Sequence, residues 1–198
     1  AVSQDGRFLG VLGLADVPRP QVKAVLERLR QLGMERLVML TGDNKDVAHK
    51  IAQEVGVTDV QAGLLPEDKM TTNQRVQREH GAVAITGDGV NDAPALATAT
   101  VGIAMGGAGA AVALETADVA LMGDDLGKLP FAVGLSRSSR SIIGQNLAIS
   151  LGVIALLIVT SVIGLVQLSG AVILHEGSTI LVVLNALRLL RYDEPPLR

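Results

Sequence analysis

The sequence predicts a parallel α/β domain followed by a two-helix transmembrane hairpin. Over residues 1–135, short apolar runs alternate with segments of helical periodicity, which is typical of a parallel sheet covered by helices. From Ser141 to Leu174 the chain contains no Asp, Glu, Lys, Arg or His. A bilayer span needs about 20 apolar residues, so this run indicates membrane helices.

The first half of the α/β domain alternates strand and helix signals. "FLGVLGLAD" is a predicted strand, and "RPQVKAVLERLRQLG" is a helix with Val22, Val25 and Leu29 on one face. "RLVML" is a buried strand that ends at Thr41. "NKDVAHKIAQEVG" is the next helix, which Gly56 ends.

The second half repeats this alternation. "PEDKMTTNQRVQREHG" is a helix that Pro66 opens and Gly81 closes. "AVAIT" is a strand that runs directly into "GDGVNDAPALA", and "VGIAM" and "ADVALM" are two more short strands. These elements define a domain over residues 1–125.

The remaining residues form the predicted hairpin. Its parts are a basic, Ser-rich linker or stalk at 126–141, a span at 142–168, a tight turn at Ser169 and Gly170, a second span at 171–190, and a disordered tail at 191–198. Both outer ends contain arginines, which places them, and the α/β domain with them, on the cytoplasmic side of the cell membrane. These arginines are Arg137, Arg140, Arg188 and Arg191. The alternative is a soluble helical hairpin buried against a partner.

The composition limits which partners the chain can bind and which side chains can form a metal site. The chain has 198 residues, a net charge of −3 and no cysteine. This charge gives no reason to expect a nucleic-acid partner. Without thiolates, any metal site must use His, carboxylate and hydroxyl groups. Aromatic residues are only 2% of the chain, so its core must consist of Ala, Val, Leu and Ile.

Two carboxylates follow the strand "AVAIT". Asp88 lies at the carboxyl end of that strand, and Asn91 and Asp92 follow within one turn. Ligands of open parallel sheets bind at the carboxyl ends of the strands. Hard oxygen ligands suit Mg²⁺, so the string predicts a magnesium site at Asp88 and Asp92. The alternative is a turn followed by an N-capped helix.

Two other segments offer groups for a phosphate. Thr41, Gly42 and Asp43 follow "RLVML", and their hydroxyl and turn amides could hold a phosphoryl oxygen, although a helix N-cap is the alternative. Lys69 lies in the first turn of its helix, where a cation opposes the helix dipole and needs an anion nearby. Phosphoryl transfer requires a metal, a cation and hydrogen-bond donors. A solvated surface lysine is the alternative for Lys69.

The strings "TGDN", "PEDK" and "GDGVNDAPALA", in this order and before membrane helices, resemble the phosphorylation domain of P-type ATPases. "GLADVPRP" resembles the strand that enters this domain. The resemblance implies a haloacid-dehalogenase-like (Rossmannoid) fold, ATP as substrate and Mg²⁺ as cofactor. It implies that Thr41 and Lys69 contact an aspartyl phosphate and that Asp88 binds Mg²⁺. It also implies that Asn91 and Asp92 shape the site, and that Asp43, with Gly42, belongs to the motif around phosphate and nucleotide.

The sequence departs from this family in one respect. The family's nucleophile is the Asp of a DKTGT motif, and no such string is present. We therefore interpret the chain as the C-terminal piece of an ATPase that requires its N-terminal part and is inactive alone. One alternative is a membrane-tethered phosphatase, for which Asp5 and Asp16 are the only early aspartates. The other is a short regulatory or relic chain.

The second apolar run contains the string "HEGST". This string resembles the last helix of the heavy-metal (type IB) branch, in the subgroup associated with cobalt and zinc. By resemblance, His175, Glu176 and Thr179 ligate or gate the transported cation, and Ser178 is a weaker candidate. Imidazole and carboxylate suit borderline divalent ions, and Gly177 could let the helix open. The alternative places His175 and Glu176 in the wet outer interface.

Overall fold

The computed structural model describes residues 2–10, 17–87, 90–106, 115–123 and 125–193. The chain divides into two compact units, one of residues 1–27 and 34–126 and the other of residues 28–33 and 127–198. The first unit ends at Leu126, beside the boundary that the sequence predicts.

The helices between residues 22 and 98 match the predicted segments, and local chemistry explains their ends. Asn44 caps α2 by accepting the backbone N–H of Asp46 at 2.9 Å, and Gly56, with φ at 81°, closes it. α1 buries Val25 and Leu29, two of the residues predicted for its inner face. The bounds are α1 Val22–Gln31, α2 Lys45–Val55, α3 Pro66–His80 and α4 Ala93–Thr98.

The strands of the first unit form three small sheets in the described residues. An antiparallel hairpin pairs β1 with β2, one parallel sheet pairs β3 with β4, and a second parallel sheet has the order β5-β6-β7. The bounds are β1 Val2–Gln4, β2 Arg7–Gly10, β3 Val38–Leu40, β4 Asp59–Gln61, β5 Ala84–Gly87, β6 Val101–Gly106 and β7 Val119–Met122.

Sequence patterning missed two of these strands. β1 and β4 are three residues each and contain polar side chains, so neither produces an apolar run. The predicted strand "FLGVLGLAD" is described only as far as Gly10, where it pairs antiparallel with β1. The rest of that prediction lies outside the described residues.

Small aliphatic side chains fill the core, as the low aromatic content predicts. Leu96 and Ala104 form its centre, and Ile85 packs against them. Met105 is buried in this core, whereas Met122 is 66% exposed.

Gly102 lies in β6 where the strand meets α4. A Cβ at this position would lie 2.6 Å from the carbonyl oxygen of Leu96, a backbone atom that cannot rotate away. We expect Gly102→Ala to lower the free energy of unfolding by about 1–3 kcal/mol, the usual cost of overpacking. Thermal unfolding of the complete protein measures this as a lower Tm. Gly10→Ala is the matched control, because a Cβ there meets nothing within 4 Å. Equal Tm values for the two variants would contradict the expectation.

The second unit contains two long helices, α5 (Lys128–Val162) and α6 (Leu168–Ala186), followed by a 3-10 turn at Leu187–Arg191. By length and composition both helices could cross a membrane, and their apolar side chains are mostly exposed. α5 begins inside the predicted linker 126–141 and continues without a break into the apolar run. The stalk and the first span are therefore one helix.

The hairpin turn differs from the prediction at Ser169 and Gly170. Both residues lie in the first turn of α6, and the chain reverses between Val162 and Leu168. Gly164 has φ at 73°, a conformation that glycine adopts without strain. The first helix therefore ends at Val162, before the predicted end of its span at residue 168. The second helix begins at Leu168, before the predicted start of its span at residue 171.

Polar side chains join the C-terminal end of α6 to the middle of α5. The Asn185 amide donates to Asn146 Oδ1 at 2.8 Å and to Gln145 Oε1 at 3.2 Å. This agrees with a helix-packing role for Gln145 and Asn185. The Tyr192 ring packs on Phe131, with centroids 5.6 Å apart, so the predicted disorder of 191–198 is wrong at Tyr192. Residues 194–198 lie outside the described residues.

Candidate functional site

Thr41, Gly42 and Asp43 form one closed turn at the carboxyl end of β3. The Thr41 hydroxyl donates to Asp43 Oδ2 at 2.9 Å and accepts the backbone N–H of Asp43 at 3.1 Å. A Cβ at Gly42 would lie 3.3 Å from the carbonyl oxygen of Leu64. The helix cap that the sequence allowed for this turn is supplied instead by Asn44.

Backbone hydrogen bonds connect this turn to the segment that leads into α3. The N–H of Gly63 donates to the carbonyl of Asp43 at 2.8 Å, and that of Leu64 donates to the carbonyl of Thr41 at 3.0 Å. α3 begins two residues after Leu64, at Pro66. The Thr41 turn and the start of α3 are therefore held side by side.

Lys69 has the anionic partner that its place in the first turn of α3 predicts. Its Nζ lies 2.7 Å from Asp92 Oδ1, and each side chain is 19% exposed. The pair is largely shielded from water, which makes it stronger than an ion pair on the surface. It joins the helix that follows β4 to the turn that follows β5.

Asp92 folds back over the end of β5. A Cβ at Gly87 would lie 2.7 Å from Asp92 Cβ and 2.9 Å from its Oδ2, so only glycine allows this approach. Asn91 lies in the same 3-10 turn, Val90–Asp92, and is exposed. Asp88, the predicted magnesium ligand, lies outside the described residues.

The predicted residues thus meet in two connected groups, the Thr41 turn and the Lys69–Asp92 pair. Sequence reasoning missed Gly87, whose signal was a glycine at a strand end beside a carboxylate. It also missed Asn73 and Gln77, which follow Lys69 at intervals of four and share its helix face. In the part of the chain that the structure describes, no three His, Cys, Asp or Glu residues form a group that could hold a metal.

The "HEGST" string lies within the unbroken helix α6, so the expected opening at Gly177 is absent. His175, Glu176 and Thr179 are exposed, and Ser178 is buried. The Ser178 hydroxyl donates to the carbonyl of His175 at 2.6 Å, and that of Thr179 does so at 3.4 Å.

The three predicted cation ligands do not converge within the hairpin. The face of α6 that is buried or half-buried includes Ala171, Ser178, Val182 and Asn185. About the helix axis His175 lies about 60° from Ser178 and Glu176 about 160° from it. Glu176 is therefore on the side of α6 opposite its contact with α5.

A protein-family model for haloacid dehalogenase-like hydrolases matches residues 1–100. The chain belongs to this family. The predicted Rossmannoid, haloacid-dehalogenase-like fold class, with two membrane-type helices after the domain, is confirmed.

The family model matches only residues 1–100, whereas similarity to curated relatives covers nearly the whole chain, including the two helices. The chain is 50% identical over 193 residues to a probable cadmium-transporting ATPase of Staphylococcus aureus (strain MRSA252), covering 98% of this chain and 27% of the relative. It is 50% identical to a zinc-transporting ATPase of Bacillus subtilis (strain 168), covering 96% of this chain and 30% of the relative. A probable cobalt/nickel-exporting P-type ATPase of Mycolicibacterium smegmatis is 44% identical.

Comparison with solved structures finds the same class of protein as these relatives. The crystal structure of a zinc-transporting PIB-type ATPase in the E2.Pi state superposes with a TM-score of 0.83 at 44% identity, covering 89% of this chain and 29% of that one. The resemblance to heavy-metal P-type ATPases is therefore confirmed. The chain spans less than a third of the length of these relatives.

Proposed function

We propose that this chain is the part of an ATP-driven heavy-metal pump that surrounds a phosphorylated aspartate and contributes two membrane helices. The observation that supports this most directly is the Lys69–Asp92 pair beside the Thr41 turn. A shielded cation next to a hydroxyl and turn amides is suited to the charged oxygens of a phosphoryl group. The complete protein would lie in the cell membrane, with the α/β unit on the cytoplasmic side.

Each site residue has a distinct part in this proposal. Lys69 Nζ and the Thr41 hydroxyl bind phosphoryl oxygens, and Asp92 orients Lys69. Asp43 accepts the Thr41 hydroxyl proton at 2.9 Å until a phosphoryl oxygen takes its place as acceptor, and Gly42 lets the turn lie against Leu64. Asn91 is exposed on the turn beside Asp92, where it can contribute an amide.

The oxygen donors fit Mg²⁺. The only hydrogen bond of Asp92 in the described residues uses Oδ1, which leaves Oδ2 for a metal. Asp88, four residues earlier, is the second carboxylate of the proposed site. When bound, Mg²⁺ would neutralise charge on the phosphoryl oxygens.

The nucleophile and the ATP site belong, in this proposal, to a part of the protein outside these residues. No DKTGT string is present in the chain, so covalent catalysis through an aspartyl phosphate needs an aspartate from elsewhere. We propose that the chain alone is inactive and that the rest of the ATPase is its obligatory partner.

The proposed cargo is a divalent heavy-metal cation of the cobalt, zinc, cadmium and nickel group. His175, Glu176 and Thr179 offer imidazole, carboxylate and hydroxyl donors, which suit borderline divalent ions better than Cu⁺. Because Glu176 lies opposite α5, the remaining ligands would come from other membrane helices. A complete set of about four donors is usual for such ions.

The test is ATP hydrolysis by the complete protein in membrane vesicles. We expect Zn²⁺, Cd²⁺, Co²⁺ or Ni²⁺ to stimulate hydrolysis in the presence of Mg²⁺ and to produce an acid-stable, hydroxylamine-sensitive phosphoprotein. Cu⁺ is the control cation. Hydrolysis that no divalent heavy metal stimulates would refute the proposed function.

A further inference from the structure

α3 docks through polar groups, which is unusual for a helix in a folded domain. Its apolar side chains are only Pro66, Met70 and Val76, and its two buried residues are Thr72 and Asn73. Most helices obtain their position from a stripe of apolar side chains facing the core. α3 lacks such a stripe, so polar contacts must determine its register.

Three of these contacts form a ladder along one face of α3. Lys69, Asn73 and Gln77 are spaced by four residues and so share this face. Lys69 Nζ binds Asp92 Oδ1 at 2.7 Å, Asn73 Nδ2 donates to Thr98 Oγ1 at 3.2 Å, and Gln77 Nε2 donates to Thr100 Oγ1 at 2.8 Å. All three acceptors lie between residues 92 and 100.

The ladder joins α3 to both ends of α4. Asp92 directly precedes α4, and Thr98 is its last residue. The Thr98 hydroxyl donates within α4, lying 3.1 Å from the carbonyl oxygens of Pro94 and Ala95. It therefore presents a lone pair to Asn73, and the direction of the hydrogen bond between the two side chains is fixed.

Asn73 is the central member of the ladder and the most buried. It is 1% exposed, and its Oδ1 has no hydrogen-bond partner in the described residues. A buried amide with an unpaired oxygen lowers stability relative to an apolar side chain of the same size. Fold stability therefore does not account for an amide at this position.

We propose that Asn73 is a positioning residue for Lys69, which holds α3 in the register that keeps Lys69 Nζ on Asp92. This inference rests on the proposed function, because that function gives Lys69 its task at the phosphoryl group. Asn73 touches neither Lys69's amine nor the proposed phosphate, and it acts through the Thr98 contact one helical turn away.

The chemistry of the site gives a direct test. An amine held against a carboxylate reacts slowly with acylating reagents, because it must first leave the pair and lose its proton. In the complete membrane protein, we expect Asn73→Leu to increase the labelling rate of Lys69, measured by mass spectrometry, by about fivefold, the factor for one neutral hydrogen bond. Thermal stability should be unchanged or higher.

Matched variants distinguish the loss of the Asn73–Thr98 hydrogen bond from a change in side-chain packing. Thr98→Val removes the acceptor and should raise Lys69 labelling as Asn73→Leu does, whereas Thr98→Ser keeps the hydroxyl and should behave as wild type. The double variant Asn73→Leu/Thr98→Val should be no more reactive than either single one. Gln74→Leu, at an exposed position of α3, controls for a nonspecific effect of leucine.

Unchanged Lys69 labelling in Asn73→Leu would overturn the proposal. Increased labelling together with a lower Tm would also overturn it, because it would indicate that the domain as a whole is loosened. Steady-state hydrolysis supplies a second readout. We expect kcat to fall, because a displaced Lys69 no longer compensates charge on the phosphoryl oxygens. Unchanged kcat would also overturn it. If wild-type protein lacks metal-stimulated hydrolysis, the proposed function fails, yet the labelling still tests the positioning contact.

Discussion

Lys69→Ala in the complete protein is expected to reduce metal-stimulated ATP hydrolysis by about 10²- to 10³-fold, the usual effect of removing one group that stabilises developing charge. The substitution removes the cation that is paired with Asp92 and leaves the largely shielded carboxylate of Asp92 without its partner. Bound phosphoryl oxygens would then face an uncompensated negative charge. Initial rates at saturating ATP and metal measure the effect.

Two further variants make this prediction specific. Lys50→Ala removes an exposed lysine of α2 and should leave the rate unchanged. Lys69→Arg keeps a positive charge next to Asp92 and should lose less of the rate than Lys69→Ala. A Lys69→Ala protein that hydrolyses ATP at the wild-type rate would exclude Lys69 from the phosphoryl site.

Glu176→Gln is expected to weaken activation by divalent metals at least about tenfold, because even outer-shell partners of a metal contribute this much to its affinity. The change preserves size and removes only the charge that would bind the cation. Glu176 is exposed on the side of α6 opposite α5, so its loss should not disturb the hairpin. The concentration of Zn²⁺ or Co²⁺ that gives half-maximal hydrolysis is the quantity to measure.

Ser178→Ala is the control for this prediction. Ser178 is buried on the inner face of the hairpin, about 160° around the helix from Glu176, so its hydroxyl cannot share a cation with that carboxylate. We expect the Ser178→Ala protein to respond to metals like wild type. Phosphorylation of Glu176→Gln from inorganic phosphate should persist, since the α/β unit is intact. Unchanged metal activation of Glu176→Gln would favour the interpretation of His175 and Glu176 as interfacial residues.

The hairpin shows what composition alone can predict and what it cannot. The uncharged run and the flanking arginines predicted two apolar helices, because hydrocarbon excludes charge regardless of packing. The turn was misplaced at Ser169 and Gly170, since small polar residues fit both a turn and a helix packed in a membrane. Gly164, which takes the left-handed conformation, gave no signal amid apolar neighbours.

For the groups of the proposed phosphoryl site, too, the sequence predicted one part of the arrangement and the tertiary structure decided another. Thr41 and Asp92 each follow a predicted strand, and ligands of parallel sheets bind at the carboxyl ends of the strands, so the sequence by itself indicated that these two residues serve one site. In the described residues the two strands, β3 and β5, lie in different sheets. That Lys69 requires an anion also followed from its place in the first helical turn. Which carboxylate it binds depended on the docking of α3 against the turn before α4, which brings together two residues that are 23 positions apart.

By itself the sequence determined the fold class, the family and the residue types of both proposed sites, because these depend on local periodicity and on strings of neighbouring residues. Only the tertiary structure decided the Asn73–Thr98 contact, the approach of Gly87 to Asp92 and the separation of Glu176 from the inner face of the hairpin. Each of these depends on which face of one element meets another. Distances along the chain do not specify that geometry, since it arises from packing among all the elements together.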